Sequence, residues 1–322
     1  MAHRRPPSAA RLRRLAEELA EAGCPVDATT GYGQLLLEEV DHARRPPVFE
    51  RWAPSHGAIL EPTTDRDTWP AATELELQLV PIRAQPLPAA RRFADGMASW
   101  ILRRVDGDDQ WCVFDRPAGS ERDLVILSQA LGATLVQRHP TGAVRIAGAH
   151  GVLRWDGVDW QLEPPLRNWI GAVASPDVDA EVLTALLAFA VHDLGSRGIG
   201  AILVHRTANE PASSVEKRFP APPALQIRRP STLGPLRHAL HQVDGAAFFD
   251  ADGTLRALGA RLIPSEEARD QVEGIGGMRH TSGRRYSFDD PTATVIVVSE
   301  DGPVTVLRGG QVLGTSPTLP IG

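Results

Sequence analysis

The chain of 322 residues contains only two cysteines, Cys24 and Cys112, far apart and without metal-ligand or redox spacing. A disulfide framework is not expected, and both read as reduced thiols. Long apolar runs are missing as well: none approaches the ~20 residues that span a bilayer. The N-terminus is rich in arginine but lacks the apolar segment of a secretory signal. These absences predict a cytoplasmic protein with no membrane association. Basic charge is not in excess, since 34 Lys and Arg face 40 Asp and Glu, a net charge of −6. That balance argues against a broad nucleic-acid-binding surface.

Several catalytic signatures are absent too. No Gly-x-x-x-x-Gly-Lys-Ser/Thr segment exists, which argues against a P-loop ATPase, and no Gly-x-Ser-x-Gly elbow appears. Gly198-Ile-Gly200 lacks the third glycine and the following helix of a dinucleotide fingerprint. Asp250-Ala-Asp252-Gly253 opens like a calcium loop, but Arg261 stands where the twelfth-position glutamate belongs, so it reads as a turn. His192-Asp193 has no accompanying histidine cluster and reads as the end of an apolar helix.

What is present divides the chain in two. All seven tryptophans lie at or before Trp169, and the prolines of Gln161-Leu-Glu-Pro-Pro-Leu-Arg-Asn-Trp169 interrupt regular pairing. The first ~25 residues read as an amphipathic helix with Leu12, Leu15 and Leu19 on one side and Gly23 as its stop. Residues 99–105 and 110–115 flank Asp106-Gly-Asp-Asp109, a hairpin signal. Val144–Ile146, Val152–Trp155 and Val158–Leu162 read as further strands around the turn Asp156-Gly157. This first unit, residues 1–170, reads as α+β without a catalytic constellation.

The second unit opens a helix at Ser175-Pro176, continues it along Val182, Leu183, Leu186, Leu187, Phe189 and Leu194, and stops it at Gly195. The apolar run 199–204 suits a buried strand. Residues 206–230, rich in proline, read as an excursion, and 233–242 as a short helix. Two hairpins follow, 243–249 with 255–263 around Asp250–Gly253, and 295–299 with 304–307 around Glu300-Asp-Gly-Pro303. Strands mixed with helices predict an α/β sandwich on a mixed sheet.

Three patches in this unit carry chemistry. Asp244-Gly245-Ala246 sets a carboxylate beside residues small enough for a nucleotide to approach the backbone. Gly274-Ile-Gly-Gly277-Met278-Arg279-His280-Thr281-Ser282-Gly283 combines exposed N–H groups, a forked arginine and hydroxyls, the mixture that phosphate requires. Ser299-Glu300 ends an apolar strand with a hydroxyl and a carboxylate. Each patch alone is also compatible with a turn, a mobile loop or a hairpin opening.

Their order resembles the diadenylate cyclase domain family, found in the DNA integrity scanning protein and its relatives, over residues 178–315. The resemblance implies an α/β domain that condenses two ATP molecules into cyclic di-AMP and releases pyrophosphate. It implies a homodimer or larger homo-oligomer, because one site cannot close the ring, and Mg²⁺ or Mn²⁺ as cofactor. By motif, Asp244, Arg279 and His280 would be catalytic, and Asp244 and Glu300 would hold the metal. ATP would be bound by Gly245, Ala246, Gly277, Met278, Arg279, His280, Thr281, Ser299 and Glu300. The family loop usually reads Gly-Thr-Arg-His-Arg, so Met278 and Thr281 depart from it, as does Val243 where many members have histidine. Arg284 or Arg285 are candidates to replace the missing arginine. No DNA-binding extension is expected after the domain, and the N-terminal unit would be a sensor or regulatory domain. The alternative is a degenerate module that binds an adenine nucleotide or cyclic di-AMP and regulates a partner.

Overall fold

Helix formation begins where a serine can cap it: the Ser8 hydroxyl accepts from the Arg11 N–H and opens α1 (Ala9–Glu21). Leu15 and Leu19 are buried on its inner side, and the chain turns at Gly23 with φ +86°. The computed structural model describes residues 7–48, 53–83, 86–174, 178–207, 215–216, 219–301 and 303–316. The chain divides into two compact units, Met1–Pro165 and Leu166–Gly322.

In the first unit α1 is followed by α2 (Gly31–Arg44), β1 (His56–Leu60), α3 (Trp69–Thr73), β2 (Leu77–Pro81) and α4 (Leu87–Ala90). Then come β3 (Ser99–Arg103), β4 (Gln110–Phe114), α5 (Glu121–Leu131), β5 (Thr134–Arg138), β6 (Val144–Gly148), β7 (Gly151–Trp155) and β8 (Trp160–Glu163). The strands form one sheet in the order β2-β4-β3-β1-β5-β6-β7-β8, with β1 and β3 parallel and the other pairs antiparallel. Side chains alternate across it. Ala58 and Leu60 join α1 and α2 in one core, whereas Ile59, Trp100 and Leu102 join α3 and α5 in the other. Cys24 and Cys112 are buried free thiols, one in each core.

Two buried carboxylates organise this unit. Glu39 accepts from His56 Nε2 at 2.8 Å, Arg91 Nη2 at 2.6 Å and Arg103 Nη1 at 2.7 Å. Burial alone would raise its pKa, but His56 and Arg91 hold it well below the usual range. On the opposite core, Glu121 receives a two-pronged contact from Arg154, at 2.7 and 2.5 Å.

The second unit contains α6 (Arg167–Val173), α7 (Ala180–Ala188), β9 (Ala201–His205), β10 (Val215–Glu216), α8 (Pro230–Gln242), β11 (Ala246–Phe249) and β12 (Leu255–Leu262). After them come α9 (Glu266–Gln271), α10 (Met278–Asp289), β13 (Thr294–Val298), β14 (Val304–Arg308) and β15 (Gln311–Thr315). The sheet order is β10-β12-β11-β9-β13-β14-β15, and β9 with β11 is the parallel pair. The sheet is thus mixed. On one face α7 and α8 pack Leu186, Leu236 and Leu240 against Leu203, Ala247 and Ile296. On the other, Tyr286 of α10 packs with Ile202, Val204, Phe248 and Val297.

Two expectations at α7 need correction. Its cap is Asp179, whose carboxylate accepts from the Glu181 and Val182 N–H groups; Ser175-Pro176 lies outside the described residues. Gly195 does not stop the helix. It keeps a helical φ of −57° after a π-helical stretch, Phe189–Leu194, and the stop comes at Gly198 with φ +65°. There the Ile199 N–H folds back onto the Leu194 carbonyl, satisfying a terminal acceptor.

Candidate functional site

Strand direction brings the three patches to one end of the second sheet. Because β9 and β11 are parallel, the residues preceding them, Gly198–Gly200 and Asp244–Gly245, lie side by side, as the register Ala246 with Ile202 requires. Strand β13 runs against β9 and pairs Val298 with Ala201. Its end, Ser299-Glu300, therefore arrives at the same end of the sheet.

Arg279, in the first turn of α10, is the common partner. Its Nη1 donates to Glu300 Oε1 at 2.8 Å and its Nη2 lies 3.9 Å from Asp244 Oδ1. Both carboxylates face water, with Asp244 90% and Glu300 68% exposed, which leaves their oxygens accessible to a ligand. Helix α10 begins at Gly277 without a side-chain cap, so its first-turn N–H groups are open to an anion.

Glycines make room for this arrangement. A Cβ at Gly200 would lie 2.5 Å from Arg279 Nη1 and 2.9 Å from Glu300 Cγ, so the ion pair rests on bare backbone. Gly245 has φ +112°, and a Cβ there would meet the Gly259 carbonyl carbon at 2.7 Å. Ala246, the first residue of β11, is buried beneath it.

The remaining candidates distribute unevenly. His280 turns to Thr305, with Nε2 3.2 Å from its hydroxyl, and burial lowers its pKa, which favours a neutral imidazole. The Thr281 hydroxyl donates to the Ile275 carbonyl at 3.3 Å. Met278 is 88% exposed. The Ser299 N–H donates to the Pro303 carbonyl and closes the β13–β14 hairpin. Arg284 and Arg285 do not replace the missing loop arginine: Arg284 bonds the carbonyls of Gly310 and Glu273, and Arg285 that of Val272. Their guanidinium groups are thus bonded to backbone carbonyls before and after α10.

A divalent cation is commonly held by one or two carboxylates together with substrate phosphates. Asp244 and Glu300, two hard-oxygen donors on either side of one guanidinium, fit that pattern. No cluster of three or more His, Cys, Asp or Glu suited to a metal occurs among the described residues. The donor set therefore fits a cation that arrives with a phosphate ligand, not an all-protein cage.

Gly198 and Gly200 went unrecognised as site residues from the sequence. The available signal was their position, immediately before a buried strand, where a side chain is missing twice in three residues.

Residues 188–312 match the family described as DisA bacterial checkpoint controller nucleotide-binding, and residues 13–163 match a family described as the probable sensor domain DACNK. No curated protein matches the chain. Among solved structures it is similar to a hypothetical membrane spanning protein from Bacillus cereus, at 19% identity and a TM-score of 0.36, over 48% of this chain and 70% of that one. No helix among the described residues is long and apolar enough to cross a membrane.

Proposed function

We propose that this protein condenses two ATP molecules into cyclic di-AMP, a reading supported by the family matches of residues 188–312 and 13–163. Each 3′-hydroxyl oxygen forms a bond to the α-phosphorus of the other nucleotide. The bond from that phosphorus to the bridging oxygen of the β-phosphate breaks, and pyrophosphate leaves with the electron pair. Two copies of the domain face each other, because the two attacks require two nucleotides held head to tail.

Asp244 accepts the hydroxyl proton, and Gly245 and Ala246 allow the nucleotide to lie against backbone. Arg279 exchanges Glu300 and Asp244 for phosphate oxygens, which it meets with a planar fork of donors. The open N–H groups of α10 add partial positive charge on the same side. Neutral His280, held by Thr305, supplies a ring N–H to phosphate. Asp244 and Glu300 would hold Mg²⁺ or Mn²⁺, which would neutralise charge on the reacting phosphate.

The observation that carries this reading is the convergence of Asp244 and Glu300 on Arg279 over the bare backbone of Gly200. Incubation of the full chain with ATP and Mg²⁺ or Mn²⁺ should yield cyclic di-AMP and pyrophosphate, detected by mass spectrometry. Asp244→Asn should bind ATP but form no product. Absence of product from the wild-type protein at concentrations where it self-associates would exclude the cyclase reading.

A second reading, a nucleotide-binding regulatory module without turnover, is favoured by Thr281. Its hydroxyl is bonded to the Ile275 carbonyl, at the position where the family pattern has a second arginine. ATP binding without any product would decide for it.

A further inference from the structure

Phe219 does not behave as a core residue. It is 51% exposed and belongs to neither hydrophobic core of the second unit. Its ring nonetheless has a defined seat. A Cβ at Gly259 would lie 2.6 Å from Phe219 Cε2, 2.7 Å from its Cδ2 and 2.6 Å from Val243 Cγ1. The ring therefore rests on bare β12 backbone beside Val243, and Gly259 holds φ +65°, where a side chain is disfavoured twice over.

The same backbone forms the floor under Gly245. Gly245 and Gly259 touch without side chains, so Phe219 and Val243 stand as an apolar wall next to the Asp244-Gly245 step. One side of the Phe219 ring is covered by protein and the remainder meets water. A half-open aromatic surface at the edge of a floor of small residues is suited to a flat, apolar partner. Nucleobases are such partners, because every base offers a π-face to an aromatic ring.

We infer that Phe219, backed by Val243, is the base-contacting residue of this site, an inference that rests on the nucleotide-binding reading above. The wall lies beside the carboxylate, while Arg279 and the start of α10 hold phosphate. A nucleotide would thus be gripped at both ends by different chemistry. Gly259 is the positioning residue, since any side chain there expels the ring.

Calorimetric titration of the full chain with Mg²⁺-ATP and with Mg²⁺-tripolyphosphate, which has the phosphates but no base, tests this division. Phe219→Ala should weaken ATP binding about ten-fold and leave tripolyphosphate binding unchanged. Phe219→Trp should retain ATP binding, and Gly259→Ala should reproduce the Phe219→Ala loss. Wild-type-like ATP affinity in Phe219→Ala would overturn the inference while leaving the nucleotide site intact. An equal loss for ATP and tripolyphosphate would also overturn it, because the ring would then act on the fold and not on the base. A wild-type protein that binds neither ligand would overturn the nucleotide reading itself, and the inference with it.

Discussion

Gly200→Ala adds a single carbon to the site and separates its chemistry from its stability. Gly200 does not hold the positive φ that disfavours a side chain, so the backbone accepts alanine. The new Cβ would stand 2.5 Å from Arg279 Nη1, 2.9 Å from its Cζ and 2.9 Å from Glu300 Cγ. The obstructing atoms are the end of the Arg279 side chain and the mid-chain Cγ of Glu300, both on flexible, partly exposed side chains. They move aside, and the Arg279–Glu300 contact is lost. An exposed ion pair of this kind contributes below ~1 kcal/mol, while replacing glycine stabilises by roughly 0.4–1 kcal/mol through the unfolded chain. The two nearly cancel, and the melting temperature should move by no more than a few degrees. Activity should not be spared. Displacing Arg279, the proposed phosphate donor, would remove a preorganised group and should lower kcat by about 10²–10³. Cyclic di-AMP production at saturating ATP, beside a thermal melt of the same preparation, reads both quantities. Full activity in a folded Gly200→Ala protein would refute the role given to Arg279. A large drop in melting temperature would refute the claim that the displaced groups are free to move. Gly198→Ala provides the contrast, because its φ of +65° adds a backbone cost of roughly 1–2 kcal/mol.

Two further predictions concern the first unit. Burial raises the Glu163 carboxyl to about 7, with Glu121 adding to the rise and Arg154 opposing it. Between 4.5 and about 7 the folded state therefore holds a proton that the unfolded chain has released, so this contribution to stability is full below 4.5 and falls as pH rises to about 7. Glu163→Gln should flatten that slope in melting temperature measured across the same interval, and an unchanged slope would show that Glu163 is not the titrating group. Glu39→Ala leaves His56, Arg91 and Arg103 without their shared acceptor, and should cost ~3–5 kcal/mol in urea unfolding. Loss well below 1 kcal/mol would mean that water reaches those groups.

Much of the fold was legible because its signals are local. Asp106-Gly-Asp-Asp109 and Asp250-Ala-Asp-Gly253 do connect antiparallel strands, β3 with β4 and β11 with β12. In the second, Asp250 and Asp252 carboxylates both accept from the Thr254 N–H, which is turn chemistry contained within five residues. The buried charges of the first unit were not legible, because their partners are remote in sequence. Glu39 meets Arg103 across 64 positions, and nothing local distinguishes that glutamate from a solvated one. Arg284 and Arg285 failed for the same reason. Their spacing allowed a phosphate contact, but carbonyls at Gly310, Glu273 and Val272 claim them.

The two glycines before β9 show where local reading reaches its limit. Gly198-Ile-Gly200 does not form a dinucleotide fingerprint, and Gly195, three residues earlier, looks like the better helix stop. Glycine is required at each of these places for a different reason, and only one reason is local. Gly198 is conformational: it takes φ +65° and lets the Ile199 N–H return to the Leu194 carbonyl, so the helix ends there once Ile199 is drawn inward. Gly200 is spatial, since its backbone does not hold the positive φ that favours glycine and its restriction comes from Arg279 and Glu300. Those side chains are brought over it by the antiparallel pairing of β13 with β9 and by the start of α10, elements about 80 to 100 residues further along the chain. A requirement of that kind belongs to the assembled sheet end. It becomes visible in sequence only when the three patches are read as one site, with the glycine as the space that they share.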